Sequence, residues 1–171
     1  DRDGVINEDY GYVYKWEDFV FISGVIEALK IFKKLNYKFI IITNQSGIGR
    51  GYFTEKEYLD LTKKYLHFLN KSGIDIKKIY HCPYAPLNKR DNSCFSRKPN
   101  PGMLLEAIKD HQIDLNNSFM VGDNISDIHA AKNAGIKKTY LISEDVEKIK
   151  AVKNLISGNF KSLYDLALYF K

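Results

Sequence analysis

Asp1 and Asp3 stand two residues apart, so in an extended segment both carboxylates fall on one side of the chain while Arg2 points away. Two acids placed this way can address one site. A third, Asp123, follows the apolar run Phe119-Met120-Val121 at the end of a predicted strand, and three converging oxygen donors suit a hard divalent cation such as Mg²⁺. Thr43 closes another apolar run and brings a hydroxyl, while Lys98 in Arg97-Lys98-Pro99 brings a fixed positive charge. Carboxylates, a cation, a hydroxyl and a lysine together describe phosphoryl transfer. The blander readings are a solvated turn for the acidic pair and a helix cap for Asp123.

These residues need elements that bring them together. Val25, Ala28, Leu29, Phe32 and Leu35 recur at helical spacing over 24–35, with Asn36 as a stop. Phe39-Ile40-Ile41-Ile42 is continuous, rich in β-branched residues and too short for a helix, and reads as a buried parallel strand ending in the polar, Gly-rich stretch 43–51. Thr54 and Glu57 have capping-box spacing and start a helix to about Lys71. A short strand is predicted over 79–82, then a polar loop, and a helix from Pro101 to Asp110 with Asn100 as its cap. Strands over 119–121 and 139–142 bracket a helix over 125–134 closed by Gly135, and helices are predicted over 146–156 and 162–170. This alternation implies an α/β fold, one Rossmann-like parallel sheet with helices on both faces and no large cap, forming a single domain over 1–171. In such a sheet ligands gather at the carboxyl ends of the strands, where the polar residues named above fall. The other chemistry-bearing loops all follow strands, so a short apolar strand is expected upstream of Asp1; without it, neighbouring strand edges would be exposed.

Composition narrows the functional classes. With 171 residues, 44% hydrophobic and 27% charged, and only 11 Gly and 4 Pro, the chain can bury a core and is not low-complexity. No apolar run reaches the roughly 18 residues of a membrane span, and a soluble cytoplasmic protein is expected. Its lysine pairs are interleaved with acids, as on solvated helix faces, so the net charge of +5 carries no nucleic-acid reading. His67, His81, His111 and His129 lack ligand spacing and are read as structural or exposed.

The order Asp1-x-Asp3-Gly4-Val5, a strand ending in Thr43-Asn44, then Lys98, then Gly122-Asp123-x-x-x-Asp127 resembles the four motifs of the haloacid dehalogenase-like phosphatases. Gly11-Tyr12-Val13, Thr43-Asn44-Gln45-Ser46-Gly47-Ile48, Arg50-Gly51, Cys82-Pro83 and Arg97-Lys98-Pro99-Asn100-Pro101-Gly102 resemble the small cap-less branch that dephosphorylates heptose bisphosphate or histidinol phosphate. The likeness covers roughly positions 1 to 143 and fades in the last helices. It implies that Asp1 is the nucleophile and Asp3 the general acid and base, with Mg²⁺ held by the Asp1 and Asp123 carboxylates and the Asp3 backbone carbonyl. It further implies that Thr43, Arg97 and Lys98 steady the phosphoryl oxygens and that Asp127 orients Lys98 or a metal-bound water. Substrate contacts are expected from Asp9, Tyr10, Gly11, Tyr12, Asn44, Gln45, Ser46, Arg50 and Asn124. The implied substrate is a small phosphorylated sugar, a heptose 1,7-bisphosphate cleaved at C7 on the way to surface polysaccharide. Histidinol phosphate, another sugar phosphate, or a binding module without turnover are the alternatives. No nucleic-acid or membrane partner is expected, and the protein is expected to be a monomer.

The sequence departs from that branch twice. Its structural zinc is held by Cys-x-His and Cys-x-Cys, whereas here the positions read Cys82-Pro83-Tyr84 and Cys94-Phe95-Ser96. Two thiols without their partners make a zinc site unexpected, and the loop over 83–96 is expected to be held by packing and hydrogen bonds. Asn124 stands where the branch carries Lys or Arg, so a positive charge for the far end of the substrate is missing, and Arg50 or Arg97 is expected to supply it.

Overall fold

The computed structural model describes residues 1–87 and 94–171; residues 88–93 of the loop discussed above lie outside the described residues. Helix α1 (Val25–Lys34) buries Val25, Ala28, Leu29 and Phe32 of the stripe that the spacing predicts, but Leu35, its fifth member, caps the helix and is exposed, and Asn36 follows in the left-handed conformation at φ 65°. Strand β1 (Phe39–Asn44) leads into α2 (Ser46–Gly49), a single turn within a stretch expected to be loop. Helix α3 (Glu55–Lys71) starts with the predicted capping box, in which Thr54 Oγ1 accepts from the Glu57 amide at 3.2 Å and the Thr54 amide donates to Glu57 at 2.7 Å.

After β2 (Ile76–Cys82) come α4 (Gly102–His111), β3 (Phe119–Gly122), α5 (Ile125–Asn133), β4 (Lys138–Ile142), α6 (Val146–Val152), β5 (Gly158–Phe160) and α7 (Leu163–Phe170). Two expectations are corrected. The residue capping α4 is Pro101, with no side-chain cap bond, because Asn100 Nδ2 reaches back to the Cys94 carbonyl at 2.9 Å. The helix expected over 146–156 stops at Val152. Beyond it the Leu155 carbonyl accepts from Thr139 Oγ1 and the Ser157 amide donates to the Thr139 carbonyl, so pairing with β4 draws the chain into β5.

All the strand pairs are parallel, but they form two groups, β2–β1 and β3–β4–β5, where one continuous sheet was expected. The facing edges of β1 and β3 leave a largely apolar trench of about 490 Å³ between them, lined by Ile40, Ile42, Phe119 and Val121 among others, and Asp1 lies on it. The Asp1 nitrogen donates to the Val121 carbonyl at 2.7 Å, fixing the Asp1-Arg2-Asp3 segment against the carboxyl end of β3.

Helices cover both faces. Neighbouring residues of β1 show the alternation: Ile41 joins a core with Ala28, Phe32, Leu61, Tyr65 and Leu166, whereas Ile42 joins another with Met103, Leu104, Met120 and Ala130. The first core takes residues from α1, α3 and α7 and the second from α4 and α5. Each fully buried aliphatic side chain contributes about 1.5–3 kcal/mol, so the frame holding the strand ends is set by these contacts. No helix among the described residues is long and apolar enough to cross a membrane.

Candidate active site

The polar ends of β1 and β3 and the Asp1-Arg2-Asp3 segment meet at one place. Lys98, on the loop before α4, is buried at their centre. Its ammonium lies 3.0 Å from Asp1 Oδ2 and 2.5 Å from Asp127 Oδ1 and donates to the Ile42 carbonyl at 2.9 Å. A buried cation with two carboxylates and a carbonyl is paired on all sides. Asn44 holds it there: its Nδ2 donates to the Lys98 carbonyl at 3.0 Å and its Oδ1 accepts the Lys98 amide at 3.1 Å. The Asn44 side chain, expected against substrate, thus binds the backbone of the lysine loop.

Asp3 sits in a second network. Its Oδ1 accepts from Arg2 Nε at 3.1 Å, Arg2 Nη2 at 2.6 Å and Asn7 Nδ2 at 3.0 Å, while Oδ2 accepts from Gln45 Nε2 at 2.9 Å. Gln45 Nε2 also donates to Thr43 Oγ1 at 2.9 Å, which leaves the Thr43 hydroxyl hydrogen for an external acceptor. Arg2, expected to point away, is fully buried; its guanidinium returns to Asp3 and also donates to the Val13 carbonyl at 2.8 Å. Its acidic neighbours on both sides were the signal available for this role.

Asp1, Asp123 and Asp127 each place a carboxylate oxygen within 4.8 Å of the others. Gly122 permits this approach, since a Cβ there would lie 2.2 Å from Asp127 Cβ. Gly4, at φ +74°, likewise abuts Asp123, whose Cγ would be 2.5 Å from an added Cβ. Burial, and then the neighbouring Asp127, push the Asp123 carboxyl up to about 6, against the pull of Lys148. Asp127 Oδ1 is buried and, beyond its charge contact with Lys98, receives no hydrogen bond. The side chains of Asp1, Asp3, Asp123 and Asp127 carry two more charges than Arg2 and Lys98 neutralise. Crowded carboxylates and that charge excess fit a hard divalent cation. Asp127, expected to act on Lys98, therefore stands at the cation cluster as well.

The other expected residues ring this centre. The excursion over 8–20 is closed at its base by the Glu8 amide on the Val20 carbonyl, 2.9 Å, and carries Asp9, Tyr10, Gly11 and Tyr12 in exposed positions. Asp9 Oδ1 accepts the Gly11 amide at 2.9 Å, and Tyr12 adopts φ 57°, uncommon for a bulky residue. The Tyr12 ring meets Tyr52 edge-on at 4.7 Å, and Tyr14 stacks on Phe53 at 4.9 Å. Ser46 opens α2, and Arg50, just past its end, is exposed. Arg97 Nη1 donates to the Tyr84 carbonyl at 3.2 Å, alongside the lysine loop. Asn124 is the exposed cap residue of α5, its amide bonded to Asp127 Oδ2 at 3.0 Å. Cys82 and Cys94 bring their sulfurs to 3.7 Å, and burial raises the Cys82 thiol to about 11. Sequence reasoning missed Lys148, whose ammonium donates to the Asp123 carbonyl at 3.2 Å. No local pattern links residues 25 apart on different elements.

Comparison with known proteins agrees with this geometry. Residues 95–161 match the family model described as HAD-hydrolase-like. The D-glycero-beta-D-manno-heptose-1,7-bisphosphate 7-phosphatase of Pasteurella multocida is 49% identical over 173 residues, covering 100% of this chain and 94% of that protein. The D-glycero-alpha-D-manno-heptose-1,7-bisphosphate 7-phosphatase of Campylobacter jejuni is 42% identical, covering 100% and 93%. A crystal structure of D,D-heptose 1,7-bisphosphate phosphatase from B. bronchiseptica, complexed with magnesium and phosphate, superposes with a TM-score of 0.84 at 28% identity, covering 99% of this chain and 94% of that one.

Proposed function

We propose that this chain, which belongs to the haloacid dehalogenase-like phosphatases, removes the C7 phosphate of a D-glycero-D-manno-heptose 1,7-bisphosphate by way of an aspartyl-phosphate. The observation that carries the reading is the junction of two networks, Asp1 with Lys98 and Asp127 on one side and Asp3 with Gln45 and Thr43 on the other. Relatives named for this activity, sharing up to 49% of residues over the whole chain, support the substrate class. They divide between alpha and beta anomers, so the reading leaves the anomer open.

The chemistry divides among this chain's residues as follows. An Asp1 carboxylate oxygen attacks phosphorus, the bond from phosphorus to the sugar oxygen breaks, and its electron pair stays on that oxygen. Asp3 donates the proton that completes the sugar hydroxyl. Because three donors occupy Asp3 Oδ1, the proton rides on Oδ2, where Gln45 fixes the orientation. Thr43 donates its hydroxyl hydrogen to a phosphoryl oxygen, and Lys98 offsets the charge of Asp1 as an anion approaches an anion. In the second half, water attacks phosphorus and gives a proton to Asp3, and the Asp1 oxygen leaves with inorganic phosphate released. The Asp1, Asp123 and Asp127 carboxylates would hold Mg²⁺, with the Asp3 carbonyl as a further donor, and the ion would neutralise charge on the phosphoryl group.

The test is phosphorus NMR of the heptose 1,7-bisphosphate incubated with the protein and Mg²⁺. The expected product retains the C1 phosphate. Loss of the C1 phosphate instead, or a higher kcat/KM for histidinol phosphate, would overturn the substrate assignment. A soluble protein of one domain, acting as a monomer on small phosphorylated sugars, completes the reading.

A further inference from the structure

The chain leaves the carboxyl end of β4 through Ser143 and Glu144 and enters α6, and Lys148 on that helix turns back toward the site. There it borders an open recess of about 320 Å³ lined by Gly4, Glu8, Asp123, Ser143 and Lys148 among others. Asp123 belongs to both the recess and the carboxylate cluster, so the recess opens directly off the reacting centre. Lys148 is half-buried and, among the described residues, makes no ion pair. Its ammonium gives one hydrogen to the neutral Asp123 carbonyl and has two more to give.

The other charges at the recess define what it can take. Glu144 is held by Lys161 at 2.9 Å, which leaves Glu8 and Asp123, the latter shared with the carboxylate cluster, as acids without an ion pair and Lys148 as the cation without one. On the opposite side of the centre, Thr43, Gln45 and Lys98 are buried and bonded to one another's neighbours, leaving little room for a second anionic group. Arg97, which donates through Nη1 to the Tyr84 carbonyl, does not line the recess. We propose that Lys148 is a specificity-determining residue, binding the phosphate that is not cleaved in the recess beside Asp123. It thereby supplies the positive charge that Asn124 lacks. The inference rests on the bisphosphate reading above and adds the group that distinguishes a bisphosphate from a monophosphate.

The experiment compares wild type, Lys148→Met and Lys148→Arg on heptose 1,7-bisphosphate and on heptose 7-phosphate, both with Mg²⁺. The loss of one charge-assisted hydrogen-bonding group corresponds to a change of about 10- to 100-fold. Lys148→Met should therefore lower the ratio of kcat/KM for bisphosphate over monophosphate by about that factor, mainly through KM, and Lys148→Arg should restore most of it. An equal loss on both substrates would mean that Lys148 merely holds the Asp123 carbonyl, and would overturn the inference, as would no change in either. If wild type removes phosphate from C7 of neither substrate, the bisphosphate reading fails and the inference falls with it. A working wild type with an unmoved ratio refutes the role of Lys148 alone.

Discussion

The two flanks of the site are built on different principles. On the β1 side, Thr43, Gln45 and Lys98 are buried, and Thr43 Oγ1, Gln45 Nε2 and the Lys98 ammonium are tied to named partners at or beside the carboxylates. On the β4 side, Asn124 is exposed, Lys148 is half-buried with a single carbonyl partner, and an open recess adjoins Asp123. Fixed, desolvated donors suit a group whose geometry is the same in every turnover, the transferring phosphoryl. An open and loosely tied flank suits the part of the substrate that varies. On the proposed reading, the difference separates chemistry from selectivity within one cleft.

The two flanks should respond differently to mutation. The largest effect should come from Asp1→Asn, which removes the nucleophile, with phosphate release falling by about 10⁴- to 10⁶-fold. A rate within tenfold of wild type would refute the mechanism. Asp3→Asn should also abolish most turnover while Mg²⁺ binding, followed by calorimetry, persists.

Lys98→Met should strike folding as well as activity, because it leaves Asp1 and Asp127 buried without their cation; about 3–5 kcal/mol is expected in denaturant unfolding. Lys148→Met should cost no more than about 0.5 kcal/mol in the same assay, as for an ordinary surface change. Equal costs would erase the distinction between the flanks.

Addition of Mg²⁺ at a hundred times its dissociation constant should stabilise wild type by about 2.7 kcal/mol, and Asp123→Asn should lose most of that gain in a thermal melt. The smallest effect is expected from Asn124→Lys, which places a charge on the open flank. A gain of about two- to fivefold in kcat/KM should appear for the bisphosphate and none for a monophosphate, within the range of one partly screened contact.

The tight flank was the more legible in sequence. Thr43 and Asp123 each end or follow an apolar run, and strand ends are where a parallel α/β sheet must gather its polar residues, whereas Lys98 lies on the loop before α4. The helix stripes of α1 and the capping box of α3 depend on neighbours three or four residues apart, which a window along the chain contains. What escaped depends on distant partners. The three-residue strand β5 is too short to show any period, and it forms because β4 is there to pair with. Asn44 is a substrate ligand by the resemblance, but its amide is matched to the backbone of Lys98, 54 residues on. Alternation points Arg2 away from the two aspartates because it gives only a direction, and not the return of a long side chain to Asp3.

The aromatic contacts between the 8–20 excursion and the chain after α2 reach one step further. Near the base, Tyr14 stacks on the buried Phe53, and the Val13 carbonyl is held by Arg2, so this part of the wall is anchored to the carboxylate network. Farther out, Tyr12 and Tyr52 are exposed and touch by ring contact. The rim can therefore be rebuilt by exchanging one ring for another, while the anchored base and the charges behind it stay as they are. On the proposed reading, such a partition would give mutation a free margin, because exposed rim rings could be exchanged without disturbing the carboxylate network behind them.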